Sequence, residues 1–320
     1  MFGNIVGWLI LLSVTILAAW LTWSARRVGN RAAKWAGLVV GGLVTVILLV
    51  ATGAIGSGLY QFYAPRNKPV PAVQSANTSE QIVRGEHVAR FVCAACHSPT
   101  GDLPLIGGKD VGKESPVPIG ALVASNLTPG GPLAEWSDGE IFRALRHGID
   151  RDGRPLIAMS ALATRRLSDE DMLAVIAYLR SQPAVTSAGP EGDRPNLLFA
   201  LFAGAGLVPV PEPIEGVVTA PPKAASAEYG EYIVSYVGCQ DCHGTGFRGG
   251  ASGGLTPAGP NLVALVPNWT QDQFIQTIRT GVDPTGHALI EVMPWKAYAH
   301  MDDEELSAIQ AYIQELADEP

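Results

Sequence analysis

The first sixty residues of this 320-residue chain contain no aspartate or glutamate, and the whole chain has four cysteines, all in two short clusters. A stretch free of carboxylates can leave water without stranding a negative charge. Cysteines confined to two close pairs exclude a disulfide framework that staples distant segments together. Basic residues are also scarce: 22 Lys and Arg face 30 Asp and Glu. Four of the basic residues lie in residues 1–60, so residues 61–320 carry 18 basic and 30 acidic side chains, a formal charge of −12. That balance argues against a nucleic-acid partner and admits a basic docking protein, although solubility alone would also account for it. The length allows about two domains of ~150 residues.

The cysteines occur as Cys93-Ala94-Ala95-Cys96-His97 and Cys239-Gln240-Asp241-Cys242-His243. Two thiols three positions apart and an imidazole directly after them are what covalent attachment of a c-type haem requires. The sulfurs add to the porphyrin vinyl groups and the histidine turns onto the iron. A zinc site would need more ligands grouped nearby, and a thioredoxin-like pair needs a strand and helix around it. Neither explains a histidine after both pairs. The expectation is two haem c groups, with His97 and His243 as proximal ligands. Because bacterial c-type cytochromes complete this attachment outside the cytoplasmic membrane, the soluble part is expected there.

Residues 3–23 and 36–59 are charge-free runs long enough, at about 1.5 Å per residue, to cross a hydrocarbon core of about 30 Å. A signal peptide would carry its positive charge before the apolar run, whereas here Arg26, Arg27, Arg31 and Lys34 follow it. The positive-inside rule holds that short loop in the cytoplasm and puts both ends outside. Trp8, Trp20, Trp23 and Trp35 are expected near the interfaces, and Gly37 and Gly41 form a small-xxx-small pair able to seat a neighbouring helix.

Residues 61–78 read as an extended tether. Thr78 or Ser79 then caps a helix that delivers Phe91 and Val92 to Cys93, and residues 98–135, rich in Gly and Pro, read as a long loop rather than any sheet. Ser137 caps a helix ending at Gly148, and Ser168 caps a terminal helix with Asp169, Glu170 and Asp171 in its first turn. The second half repeats this order. Trp136, Gly148, Asp150, Gly153 and Leu156 recur 133 positions later as Trp269, Gly281, Asp283, Gly286 and Leu289. After one inserted residue, Met159, Ser168 and Tyr178 recur as Met293, Asp302 and Tyr312. Met159 and Met293, each in the loop before a terminal helix, are therefore the expected distal iron ligands. Met172 and Met301 have no counterparts and read as packing. His87, His147, His287 and His300 have none either and read as surface or haem-edge residues. Arg146 and Arg279 do correspond; guanidinium geometry suits haem propionates, and a solvated helix end accounts for them almost as well. Between the repeats, residues 184–226 form a proline-rich linker holding one apolar run, Leu197 to Val210, too short to span a bilayer. It is expected to be buried at the interdomain seam, on the membrane or against another subunit.

A short helix, an attachment motif, a wrapping loop, a methionine loop and a terminal helix, present in tandem, resemble class I c-type cytochromes. With Ser125-Asn126-Leu127-Thr128-Pro129, Trp136-Ser137-Asp138 and Leu167-Ser168-Asp169-Glu170, the first copy is similar to the haem domains of cytochrome subunits of membrane-bound alcohol and gluconate dehydrogenases. Those subunits usually carry three haem domains, and the N-terminal hairpin is closer in plan to the dihaem subunit of some bacterial haem-copper oxidases. The resemblance implies an all-α chain: a hairpin anchor at 1–60, a tether at 61–78, haem domains at 79–183 and 227–320, and the linker between. It implies an electron-transfer subunit rather than an enzyme, passing single electrons between donor and acceptor complexes of a respiratory or photosynthetic chain, with a membrane complex or a soluble carrier as partner. A dihaem peroxidase, which needs one open iron and a polar distal pocket, is the alternative.

The topology is testable: protease added to intact spheroplasts should digest residues 61–320. Full protection would contradict an outward-facing soluble part.

Overall fold

The computed structural model describes residues 1–186, 192–208, 213–250 and 258–318. Two long apolar helices, α1 (Phe2–Ser24) and α2 (Arg31–Tyr63), form the N-terminal hairpin. Both are long and apolar enough to cross a membrane. They meet along small and hydroxylated residues. A Cβ on Gly41 would fall 2.6 Å from Thr22 Oγ1, and one on Gly37 would fall 3.0 Å from the Ala25 Cβ. The small-residue pair thus seats α1. Hydroxyl pairs Thr22–Thr45 (3.1 Å) and Thr15–Thr52 (2.9 Å) lie in the same seam. Trp20, Trp23 and Trp35 face outward, whereas Trp8 turns inward and donates to the Thr52 carbonyl at 2.9 Å.

The first repeat contains α3 (Ser79–Val92), α4 (Ala94–His97), strand β1 (Gly120–Val123), α5 (Asp138–His147), α6 (Ile157–Ala161) and α7 (Asp169–Ser181). Strand β2 (Gly192–Pro195) and α8 (Leu197–Gly204) follow in the linker. The second repeat contains α9 (Ala227–Val237), α10 (Cys239–His243), α11 (Leu262–Leu265), α12 (Gln271–Thr280), α13 (Trp295–Tyr298) and α14 (Asp303–Asp318). The helix starts follow local chemistry. Thr78, Ser137, Ser168 and Thr270 each accept a backbone N–H two or three residues into their helices, and Ser137/Glu140 and Thr270/Gln273 complete reciprocal capping boxes. Left-handed Gly148 and Gly281 end α5 and α12.

The chain is mostly helical, with one exception to an all-α reading. β1 and β2 pair antiparallel, Gly120 opposite Pro195 and Val123 opposite Gly192. The wrapping loop thus contributes a strand whose partner lies some seventy residues on, a pairing no local pattern announces.

In each repeat the first and last helices cross at a glycine. A Cβ on Gly85 would lie 1.8 Å from the Ala174 carbonyl oxygen, and one on Gly230 would lie 2.0 Å from that of Ala308. The buried side chains of both repeats then join in one continuous cluster, from Val88 and Phe91 to Tyr236 and Ile313. Polar groups bridge the seam too. Tyr232 donates to Asp171 at 2.5 Å, Arg84 donates to the Tyr229 hydroxyl at 3.3 Å, and His87 pairs with buried Glu305 at 2.7 Å; within the first repeat Arg84 also donates to both Asp171 oxygens (2.8 and 3.0 Å). The i, i+3 spacing of Arg84 and His87 lets α3 reach the first turn of both terminal helices.

A second cluster joins the anchor to the first repeat: Ile55, Leu59 and Phe62 of α2 pack with Phe199, Ala200 and Ala203 of α8 and with Ile119 and Leu122. Cβ atoms on Gly58 and Gly204 would fall 1.8 Å from the Ala200 oxygen and 1.7 Å from the Ala54 oxygen. One face of the linker's apolar run, Phe199, Ala200 and Ala203, is therefore buried against the chain's own hairpin and not at the seam between repeats, while Leu198 and Leu207 are exposed; its last two residues, Pro209 and Val210, lie outside the described residues. The tether is likewise tied down. Arg66 N–H donates to the Gly153 carbonyl at 2.7 Å, and the Asp138 carboxylate accepts from the Ser75 N–H at 2.9 Å.

Gly85→Ala should destabilise the protein by about 3 kcal/mol, because the helices must separate to admit one methyl group. Val83→Ala, on the exposed side of the same helix, should cost less than ~0.5 kcal/mol. Thermal unfolding followed by far-ultraviolet circular dichroism would decide; equal effects would contradict the tight crossing.

Candidate functional site

In each repeat the first helix of the crossing pair, α3 or α9, leads into an attachment motif. Cys93 is the C-cap of α3, its N–H donating to the Ala89 carbonyl at 2.8 Å, and Cys96 and His97 complete the single turn of α4. In the second repeat Gly238, left-handed at φ 77°, supplies one extra residue between α9 and Cys239, and α10 then carries Cys242 and His243. The histidines are fixed in the same way. His97 Nδ1 lies 2.8 Å from the Ser125 carbonyl oxygen, and His243 Nδ1 lies 3.0 Å from that of Pro260. A carbonyl can only accept, so Nδ1 carries the proton and Nε2 keeps the lone pair that binds a metal. Burial lowers the His97 pKa, which favours the neutral, ligating form. Around His243 the wall is tight: a Cβ on Gly259 would fall 2.8 Å from Nδ1 and 2.9 Å from the Cys242 carbonyl oxygen.

Burial pushes the Cys93 and Cys239 thiols up to about 12. Such thiols stay protonated at neutral pH, unlike the thiolate of a reactive dithiol.

The methionine loops match bond for bond. Leu156 N–H donates to the Gly148 carbonyl and Leu289 N–H to that of Gly281, both at 2.7 Å. Asp150 N–H donates to the Arg154 carbonyl and Asp283 N–H to that of His287, both at 2.9 Å. Each loop seats on its left-handed glycine: a Cβ on Gly148 would meet Ser160 at 2.4 Å, and one on Gly281 would meet the Trp295 ring at 2.5 Å. Met159 lies in the short helix α6 rather than in open loop, and Met293 lies just before α13. Met159, Met293, Cys93 and Cys239 all border the main core cluster, where Met172 and Met301 are wholly buried.

Arg146 and Arg279 are occupied otherwise than the propionate reading expects. Arg146 donates to the Arg165 carbonyl and, at 2.6 Å, to Asp169; Arg279 donates to the Ala299 carbonyl and, at 2.9 Å, to Asp303. Each guanidinium ties the segment after the methionine to the first turn of the terminal helix. Glycines 85 and 230 were not singled out by sequence reasoning; their positions eight and nine residues before the first cysteine of each pair were the available signal.

The family described as cytochrome C oxidase, cbb3-type, subunit III matches residues 80–179 and 225–313. The chain belongs to this family. Haem c is accordingly its cofactor, and the paired thiols, the ligating tautomer of each histidine and the close wall at Gly259 fit that group. The chain is also similar to the fructose dehydrogenase cytochrome subunit of Gluconobacter japonicus, 26% identical over 297 residues, covering 85% of this chain and 58% of that protein. It is 28% identical over 271 residues to the gluconate 2-dehydrogenase cytochrome c subunit of Pantoea cypripedii, covering 73% and 59%. To a nicotinate dehydrogenase subunit of Pseudomonas putida it is 29% identical over 273 residues, covering 76% of this chain and 22% of that protein. The chain therefore spans a little over half of the first two relatives and about a fifth of the third.

The two arginine clips differ in burial: the Arg146 side chain is 3% exposed and that of Arg279 is 29% exposed. Arg146→Ala should cost about 3 kcal/mol, because the carbonyl and carboxylate left behind lose a buried partner. Arg279→Ala should cost about 1 kcal/mol or less. Thermal unfolding of the two variants would check the order, and a larger loss at Arg279 would contradict it.

Proposed function

We propose that this chain is a membrane-anchored dihaem electron carrier, built as two tandem class I cytochrome c domains at residues 79–183 and 227–320 on the outer face of the cytoplasmic membrane. The observation that carries this reading is the double occurrence of one arrangement: attachment motif, histidine held through Nδ1, and methionine loop seated on a left-handed glycine. Cys93 and Cys96 hold the first haem by thioether bonds and Cys239 and Cys242 the second. His97 and Met159 would hold one haem iron, and His243 and Met293 the other. When bound, each haem supplies a one-electron couple, and methionine ligation sets it at a higher potential than two histidines would.

The protein's part is positional. The Ser125 and Pro260 carbonyls orient the imidazoles. The shared core from Phe91 to Tyr236, whose ring centroids are 6.4 Å apart, fixes one repeat against the other, so the two sites keep a constant separation. Basic residues between α1 and α2 keep that turn cytoplasmic, and the packing of α8 on α2 holds the first domain close to the bilayer. The relatives are named as cytochrome subunits of fructose, gluconate and alcohol dehydrogenases, which favours a membrane-bound dehydrogenase of a respiratory chain as the complex this chain serves.

Both irons should be six-coordinate and low-spin, with the weak far-red absorption of sulfur-ligated ferric haem. Met293→Ala and Met159→Ala should each remove one haem's share of that band, lower one potential and open one iron to small ligands, while both haems stay covalently attached. If Met159→Ala changed nothing and replacement of His147 did, the first ligand would be misassigned.

A further inference from the structure

The two methionine loops share the turn from Gly148 to Leu156 and from Gly281 to Leu289 but have opposite surroundings. In the first repeat Ile149 is buried, Ile157 and Ala158 pack against the α2 and α8 cluster, and the Ile157 N–H donates to Asp193 at 3.0 Å. The anchor and the ribbon cover that face. In the second repeat the corresponding stretch has no such cover among the described residues, and Val282, Ile290 and Val292 are 42%, 58% and 55% exposed. Three large aliphatic side chains around one half-buried methionine form a patch of the kind that marks an interaction site. Charge is divided just as unevenly. Residues 227–320 hold 13 acidic and 3 basic side chains, a formal −10 of the −12 carried by residues 61–320. Within the loop itself Asp283 and Glu291 stand against Lys296, which lies 3.3 Å from Glu291.

We propose that the Met293 loop is the docking face for a basic electron-transfer protein, one that presents an apolar patch ringed by lysine and arginine. An acidic partner would be repelled by the second repeat, and a second copy of this chain would set −10 against −10. The membrane is disfavoured as well, because the first repeat already holds the anchor contact. Across this face the carrier is oxidised by one electron and the partner is reduced by one, with no bond made or broken. The proposal rests on the reading of Met293 as an iron ligand, and it makes the second repeat the site of exchange, because Ile157, the counterpart of Ile290, is packed against the anchor cluster.

The experiment uses the full-length dihaem protein in mild detergent, reduced and mixed in stopped flow with a strongly basic mitochondrial-type cytochrome c as probe and an acidic bacterial cytochrome c as control. The wild type should reduce the basic probe faster, with a rate that falls as salt rises. The double variant Ile290→Ser/Val292→Ser should lower the second-order rate about tenfold. Glu291→Lys should lower it at low salt and converge on the wild type at high salt. Val217→Ser, at a 75% exposed site in the linker, should leave it unchanged. Far-red absorption and both potentials, recorded on every variant, separate the two readings. A wild type lacking the sulfur-to-iron band would overturn the ligand assignment. Normal spectra together with a wild-type rate in the double variant, a preference for the acidic probe, or a homodimer in sedimentation that the double variant abolishes would each overturn the docking face alone.

Discussion

In each repeat the helix that ends in a cysteine pair crosses the terminal helix at a glycine, with carbonyl oxygens so close that no side chain fits. This crossing sets the register of everything beyond it. A helix rises only about 1.5 Å per residue, so eight or nine residues from the crossing fix where the first cysteine emerges. The same terminal helix is clipped at its first turn by an arginine that also holds the segment following the methionine. Histidine side and methionine side of each site are thus referred to one pair of packed helices. A site whose parts come from separate loops needs such a common frame to hold its geometry.

The repeats share more than a plan. Asp171 and Glu305 occupy the same place in α7 and α14, and both are reached from α3, by Arg84 and His87. One helix of the first repeat therefore reaches buried acids in both halves, and the hydrophobic cluster runs through without a break. A buried carboxylate is costly to leave unpaired, so the interface is specified by polar contacts as well as by area. An electron carrier gains from such rigidity, because transfer falls steeply with distance and a swinging joint would make it erratic.

Much of this was legible in residue order. The cysteine–histidine pentapeptides, the capping residues Thr78, Ser137 and Ser168, the terminating Gly148 and the offset of 133 to 134 residues all express local rules, and the structure puts each where those rules lead. Partnerships over long separations were not legible. β1 and β2 are some seventy residues apart in a Gly- and Pro-rich context, and α8 meets α2 across about 140 positions. The fate of Leu197 onward could not be chosen from composition, since an apolar run suits a bilayer, a seam and a neighbouring helix equally well. Arg146 and Arg279 were recognised as a pair, but a guanidinium fits a carboxylate whether it belongs to a haem or to an aspartate. Only the positions of Asp169 and Asp303 decide between them.

Haem number is the quantity on which the account turns. Intact mass of the full-length protein, measured after denaturation so that only covalent groups remain, should exceed the polypeptide by two haems, and by one in either Cys93→Ala/Cys96→Ala or Cys239→Ala/Cys242→Ala. A wild-type mass showing one haem or none would contradict the tandem arrangement.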